Sequence, residues 1–436
     1  MHRGIQWVLT LHLSGYGHIN QLAAATATTS SSSSSTTSVA TTPEPCLSLP
    51  RPDPDDTRSP YDRFRARKKS LSVTDLVSNI WCEQQFEYTL LRGFKRKTPQ
   101  MRRGIRVHKA LEEQVQTSVS IELTSKEDAW GLKMFNVYQG LVALRQNGLT
   151  RELPVFGFLG DIFVQGIVDE VSFVSPHTRE EGKWRTVVTA EEEDNDGEIV
   201  LGEDATTDVF GVPTVGKRIA YLSDTKTRAS RSLPTNSQVR VTAIQLMLYH
   251  RLLSHLRTGT VDIGRALKLF QLDGGAKFTD SFIAEIAGLE SGVSLETLLE
   301  HNSIWGMWEL VRRQAQESMD SIGTEMGISY RSQADGSMIG FSSLMHDDEI
   351  LDAHLVEVMK WWKGERSTVG VDIEDAWKCE RVISHRRRCI GLTSLGGSCE
   401  FEATCEWRLA KLEEELQGRR AKRQRQSLQK CTAGGT

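Results

Sequence analysis

Ile219-Ala220-Tyr221-Leu222-Ser223-Asp224-Thr225-Lys226-Thr227-Arg228 is an apolar run that ends in a carboxylate, hydroxyls and two cations. Its first half reads as a strand, resuming at Arg218, and its carboxylate and lysine stand at i and i+2. Alternate residues of a strand share a face, so Asp224 and Lys226 are expected to point the same way. Upstream, Val155 to Val174 carries short apolar runs punctuated by Gly157, Gly160 and Gly166, the pattern of a strand meander. Within it, Gly166-Ile167-Val168-Asp169-Glu170 puts a carboxylate pair at the end of an apolar strand. Downstream, Val239 to Leu256 reads as an apolar helix that carries Gln245 and Tyr249 on one face. Further upstream, Gly104, His108 and Glu112 repeat the step of four and fall on one side of another helix.

These four motifs suit one chemistry. Carboxylates and a backbone carbonyl are hard oxygen ligands for Mg²⁺ or Mn²⁺, the ions that hydrolysis of a resistant phosphodiester calls for. The strand-end carboxylate can hold such an ion while the Lys226 ammonium orients the attacking water. Singly, each motif is weak: a helical His is most often structural, and Asp-x-Lys or Gln-x-x-x-Tyr arises by chance in chains of this length. Their order along the chain, separated by plausible elements, is what carries the reading.

The 436 residues are 39% hydrophobic and 25% charged, enough apolar material for a substantial core. No apolar run approaches the ~20 residues of a membrane helix. Seven cysteines, odd in number and unevenly placed, do not make a secreted disulfide framework; clustered Cys more often ligate metal. The net charge of −4 hides strong segregation. Eight of 18 residues from Arg92 to Lys109 are basic, as are five of seven from Arg419 to Arg425, whereas nine of 18 from Glu191 to Asp208 are acidic. The run into His108 reads either as a solvated face or as a guide for a phosphate backbone. The run Arg419–Arg425 reads as a solvated tail, a nuclear address or an extra DNA contact. Residues 1–68 are expected to be unfolded: the first 43 contain no acid, and Ala23 to Thr42 is Ala, Ser and Thr apart from Val39. That hydroxyl-rich, acid-free stretch fits an organelle transit peptide. Residues 69–410 are expected to form the folded domain, with an acidic insertion at 176–216, and 411–436 a basic tail.

Taken together, the conjunction of His108, Asp169, Asp224-x-Lys226 and Gln245/Tyr249 resembles the RecB-like branch of the PD-(D/E)xK nuclease superfamily. Ser72-Val73-Thr74-Asp75-Leu76, Trp81-Cys82-Glu83-Gln84-Gln85, Asp224-Thr225-Lys226-Thr227-Arg228 and the terminal cysteines resemble the exonuclease V family within it, over about Leu71 to Leu409. The resemblance implies an α/β core with a mixed, twisted sheet of about four or five strands and helices on both sides. It makes His108, Asp169, Asp224 and the Thr225 carbonyl ligands of Mg²⁺ or Mn²⁺, and Lys226 the catalytic lysine. Glu170 becomes a second catalytic carboxylate, Gln245 and Tyr249 steady the strand or the site, and Arg228 meets a phosphate. It further implies single-stranded DNA as substrate and exonucleolytic cleavage in the 5′-to-3′ direction by a monomer, with no membrane involved. A fungal mitochondrial member is the expected setting, serving mitochondrial DNA maintenance; a nuclear repair exonuclease is the alternative. Two rivals are a non-catalytic single-strand-binding module on a nuclease scaffold and a zinc-stapled interaction protein.

In the resembled family one early and three late cysteines hold a 4Fe-4S cluster that joins the N- and C-terminal segments of the domain, which here implies Cys82, Cys379, Cys399 and Cys405. A four-Cys zinc site and buried thiols remain open. The late family spacing, Cys-x2-Cys-x5-Cys then Trp-Arg, is interrupted: deleting the 17 residues Val382–Ser398 restores it. The segment is a whole number of codons and opens with Val, whose codons begin with GT, so a retained intron is expected; otherwise Cys389 competes as a ligand. Trp361-Trp362 and Gly364-x-Arg366 also resemble a family motif, and the apolar pattern before them reads as buried core.

Overall fold

A computed structural model describes residues 7–12, 56–95, 97–113, 116–121, 123–176, 217–234, 236–289, 293–372, 379, 399–401 and 405–433. The acidic stretch 177–216 and the suspected intron 382–398 lie outside them. The chain divides into two compact units, one built from 7–12, 58–80 and the described residues between 97 and 365, the other from 81–95 and the described residues from 366 onward. The single domain expected over 69–410 is thus two units, each containing segments far apart in sequence.

In the first unit, β1 (Trp7–His12) pairs antiparallel with β3 (Gln116–Ile121), and α1 is Pro60–Phe64, so two short elements stand within the span expected to be unfolded. Pro60 at the first helical position and the Ser59 hydroxyl, which accepts from the Asp62 amide, explain why α1 starts there. β2 (Leu71–Ser72) runs directly into α2 (Val73–Val77), closed by a reciprocal capping box between Ser72 and Asp75. α2 ends at Val77, where Ser78 caps it. α3 (Glu83–Arg92) belongs to the second unit; α4 (Pro99–Glu112) opens on the Thr98 cap and Pro99.

α5 (Lys126–Asn147) leads into the hairpin of β4 (Leu149–Leu159) and β5 (Ile162–Ser172). Its two-residue turn is Gly160-Asp161 with Gly160 at φ 61, the backbone that a tight hairpin requires at its first central residue. Trp130 of α5 meets Phe156, Phe163 and Phe270, with ring centroids 5.0 to 6.0 Å apart, fixing the helix to this hairpin. β6 (Ile219–Arg228) pairs antiparallel with β5 through Glu170–Ser172 only. α6 (Asn236–Thr258), α7 (Ile263–Phe270), α8 (Asp280–Ala287), α9 (Leu295–Glu300) and α10 (Ile304–Ser318) then supply the crossover to β7 (Ser321–Ser332), parallel to β6. β8 (Met338–Met345) closes the sheet antiparallel to β7, and α11 (Asp348–Trp362) follows. The mixed sheet has six strands in the order β2-β5-β6-β7-β8, with β4 on β5, against the four or five expected. β2 adds only two residues, parallel to Val164 and Gln165 of β5. Trp361 and Trp362 are fully buried, as their apolar context predicted.

In the second unit, α3 meets the segment after α11, and α12 (Glu406–Ala433) runs unbroken across the expected tail boundary at 411. Glu83 takes a bidentate contact from Arg366 at 2.6 and 2.9 Å and accepts from the Val369 amide. Arg92 does the same to Glu400 at 2.6 and 2.9 Å. No described helix is long and apolar enough to cross a membrane.

Gly166 shows how tightly α6 lies on β5. A Cβ there would stand 2.5 Å from a Tyr249 ring carbon and 2.9 Å from Val73 Cγ2. Gly166→Ala should cost about 1–3 kcal/mol, because both neighbours must shift; a chemical-denaturation midpoint equal to the parent's would show that the close approach is absent.

Candidate active site

Pairing of Glu170 with Ser223 makes Asp169 and Asp224 the next residues on neighbouring antiparallel strands. The Thr225 amide donates to Asp169 Oδ2 at 3.1 Å, locking the two strand ends together. Lys226 Nζ lies 3.0 Å from Asp224 Oδ1 and 2.8 Å from Oδ2. Only the first contact has hydrogen-bond geometry, so Oδ2 is buried without a hydrogen-bond partner. The same ammonium donates to Gln245 Oε1 at 3.4 Å, and Gln245 Nε2 donates to the Tyr249 hydroxyl at 3.3 Å. His108 reaches in from α4 with Nδ1 3.7 Å from Asp169 Oδ2. It can do so because Gly104, one turn earlier, has no side chain: a Cβ there would stand 2.8 Å from Thr227 Oγ1 of β6. Gln333 fastens the same helix, donating to the Gln100 carbonyl and to Thr227 Oγ1.

The sequence reading missed one member. Glu152 of β4 joins His108 and Asp169, each offering a ligand atom within 4.8 Å of the other two, and this is the one such group among the described residues. In the β4–β5 ladder Arg151 pairs with Glu170 and Leu153 with Val168, so Glu152 stands opposite Asp169. Glu152 has φ 52, left-handed backbone that costs a non-glycine residue about 1–3 kcal/mol and concentrates at functional sites. The signal was available: with Gly160-Asp161 as the turn, counting back along the hairpin puts residue 152 across from 169.

Of the residues singled out from sequence, His108, Asp169, Asp224, Thr225, Lys226, Gln245 and Tyr249 come together here. Asp224 is not in the group of three, being engaged by Lys226. Arg228 follows Lys226 by two residues on the same strand, and its buried Nε has no hydrogen-bond partner. Glu170 does not join them: it is ion-paired with Arg151, and strand alternation turns it from the face that carries Asp169.

Burial dominates the electrostatics. Desolvation, followed by Asp169 and Glu112, pushes the Glu152 carboxyl up to about 8. Asp169 is likewise raised, by burial first. Burial raises Asp224 to about 6, with Lys226 opposing it. His108 is lowered by desolvation and so favours the neutral, ligating imidazole. Desolvation alone would lower Lys226, but Asp224 and Asp169 outweigh it and hold the ammonium above its ordinary value. Three crowded carboxyls, a neutral imidazole and an orphaned buried oxygen form a donor set suited to a divalent cation.

The second unit holds its own cluster. Cys82, Cys379, Cys399 and Cys405 line one cavity with Tyr88, Phe401 and Trp407. Burial, with the other three thiols adding to it, pushes Cys82 up to about 12, and burial raises Cys399 as well. Gln85 Nε2 lies 3.7 Å from Cys399 Sγ.

Residues 59–408 match the family described as exonuclease V, a 5′ deoxyribonuclease. Exonuclease V of Danio rerio is 27% identical over 354 residues, covering 80% of this chain and 73% of the relative. The crystal structure of SSO0001 covers 77% of this chain and 96% of its own at 10% identity, with a TM-score of 0.27, too low to bear on the fold.

The raised carboxyls fix the sign of a pH effect. Their folded-state values exceed those of an unfolded chain, so without a cation stability is full below about pH 4 and is lost as pH rises through about 6 and then 8. Mg²⁺ or Mn²⁺ should therefore raise the melting temperature at pH 8 and have little effect at pH 5, and Glu152→Gln should flatten both dependences. An equal metal effect at the two pH values would contradict this assignment.

Proposed function

This chain belongs to the exonuclease V family and is a hydrolase of the 5′ deoxyribonuclease type, and from that premise we propose that its first unit is a PD-(D/E)xK nuclease core that degrades single-stranded DNA from its ends. The observation that carries the proposal is the meeting of Asp169, Asp224 and Lys226 at the ends of β5 and β6, with His108 and Glu152 brought to the same point. His108, Asp169, Glu152, Asp224 and the Thr225 carbonyl would hold Mg²⁺ or Mn²⁺. Such an ion supplies the positive charge and Lewis acidity that phosphodiester hydrolysis needs.

The remaining work falls to the chain. Lys226, kept protonated by Asp224 and Asp169, acts as a donor: it orients a water and stabilises charge developing on the phosphate. Gln245 holds that ammonium, and Tyr249 holds Gln245, so the pair positions the lysine. Arg228 offers a guanidinium with an unmet donor to a neighbouring phosphate. Glu152 takes the second-carboxylate role expected of Glu170.

We assign a 4Fe-4S cluster to Cys82, Cys379, Cys399 and Cys405. The four cysteines line one cavity, and four thiolates are the ordinary ligation of such a cluster. The cluster would join 81–95 to the segment after 366. A mitochondrial address is inferred from the acid-free N-terminal stretch, with the nucleus as alternative from Arg419–Arg425.

Anaerobically purified protein with Mg²⁺ should shorten end-labelled linear single strands from the 5′ end and leave circular ones intact. Asp224→Asn and Lys226→Ala should each lower cleavage by about a hundredfold or more while DNA binding persists; full activity in either removes the catalytic assignment. Cys405→Ser should be colourless and less stable, whereas a brown, stable variant would dismiss the cluster.

A further inference from the structure

α4 leaves an unusual surface beside the site. Met101, Ile105, His108 and Glu112 stand at i, i+4, i+7 and i+11, one stripe of the helix, so the metal-group histidine shares its face with two apolar side chains. Both are open to solvent, Met101 37% and Ile105 51% exposed, while the docking face uses Gly104 and Leu111. Exposed Arg102, Arg106 and Lys109 flank the stripe. A second exposed apolar residue lies on the strand side. Ile167 is 48% exposed in an otherwise largely buried strand, two residues before Asp169 on the same strand face. The His108–Glu152–Asp169 group is therefore flanked along two of its three contributing elements, α4 and β5, by apolar side chains that core packing does not use.

We propose that Ile105 and Met101 on α4, with Ile167 on β5, grip the unpaired bases next to the scissile phosphate, while Arg102 and Arg106 take the adjoining phosphates. The inference rests on the single-strand reading above and deepens it: base faces are open to apolar contact only where the strand is unpaired. The occupant follows from the chemistry on the page. A basic rim calls for a polyanion, and apolar contacts within two helical turns of His108 call for something flat and apolar on that polyanion. A duplex presents its phosphates but hides its base faces, so this surface selects against it. These are positioning residues, acting on the strand and not on the reacting atoms.

The test separates base from phosphate. In an Asp224→Asn background, which cannot cleave, binding of a labelled single strand is compared with that of a strand of equal length carrying abasic sites, by fluorescence anisotropy with Mg²⁺. The Asp224→Asn parent, with the grip intact, should prefer the normal strand by about tenfold. Ile105→Ser with Ile167→Ser should lose that preference without changing abasic binding, and Ile105→Leu should keep it. In cleavage-competent protein the double Ser variant should raise KM about tenfold with kcat nearly unchanged. Undiminished preference for the normal strand in the Ser variants overturns the grip, as does equal weakening on both strands. Neither result touches the catalytic reading, which depends on whether Asp224→Asn itself abolishes cleavage of normal single strands.

Discussion

Three carboxyls, Glu152, Asp169 and Asp224, are held in one largely buried place with one ammonium among them, and that crowding constrains the first unit. Burial lifts all three above ordinary carboxylate values, and each adds to the cost of ionising the next. Lys226 compensates Asp224 most directly, and His108, pushed towards its neutral form, adds little positive charge. The strand ends are nonetheless pinned in this arrangement by the Thr225 amide, by the Lys226–Gln245–Tyr249 chain and by backbone strain at Glu152. The divalent cation proposed for this site would offset that cost, and the hard oxygen donors suit it.

The second unit meets a related problem by related means. Its described core gathers Cys82, Val371 and Cys379, with Trp81 and Trp407 packed against them, and buried Phe86, Tyr88 and Phe401. A core of that size gains from cross-links between segments separated by nearly 300 residues. Glu83 to Arg366 and Arg92 to Glu400 add bidentate ion pairs, and Gly370 lets the Trp407 ring lie where a Cβ would otherwise come within 2.2 Å. Partly exposed ion pairs contribute modestly. The four thiols offer a further means of closure, and because burial raises Cys82 and Cys399, coordination by the proposed cluster would displace protons from them and tie pH to the integrity of this unit.

What was legible in the sequence follows from how local each signal is. Asp224 and Lys226 could be placed on one face because strand alternation needs no partner, and His108 could be placed on the side of its helix that carries Gly104 by helical spacing alone. Glu152 was legible only through hairpin register, set eight residues away at Gly160-Asp161, and so was passed over. The adjacent pair Asp169-Glu170 invited the wrong second carboxylate: neighbours in a strand face opposite ways, and Arg151 claims Glu170. The two-residue β2 and the break after Val77 left no periodic trace. The cysteine set came from family resemblance, as no spacing rule joins Cys82 to a cluster some 300 residues on. The division into two units, which routes 81–95 away from its neighbours in sequence, was equally invisible to composition.

α4 shows how far an element's sequence can be set by function and not by folding. Its buried residues are only Gly104 and Leu111, so packing contributes little, and its start is secured by the Thr98 cap, Pro99 and the Gln333 contacts. A helix fixed by its end and by one close approach is free to vary along its outer face. That face nevertheless carries apolar residues in register with His108 and cations beside them, where charged residues throughout would have been the cheaper choice for solubility. Surface of that composition, continuous with a metal-binding group, is most economically explained by a partner that is itself both apolar and anionic.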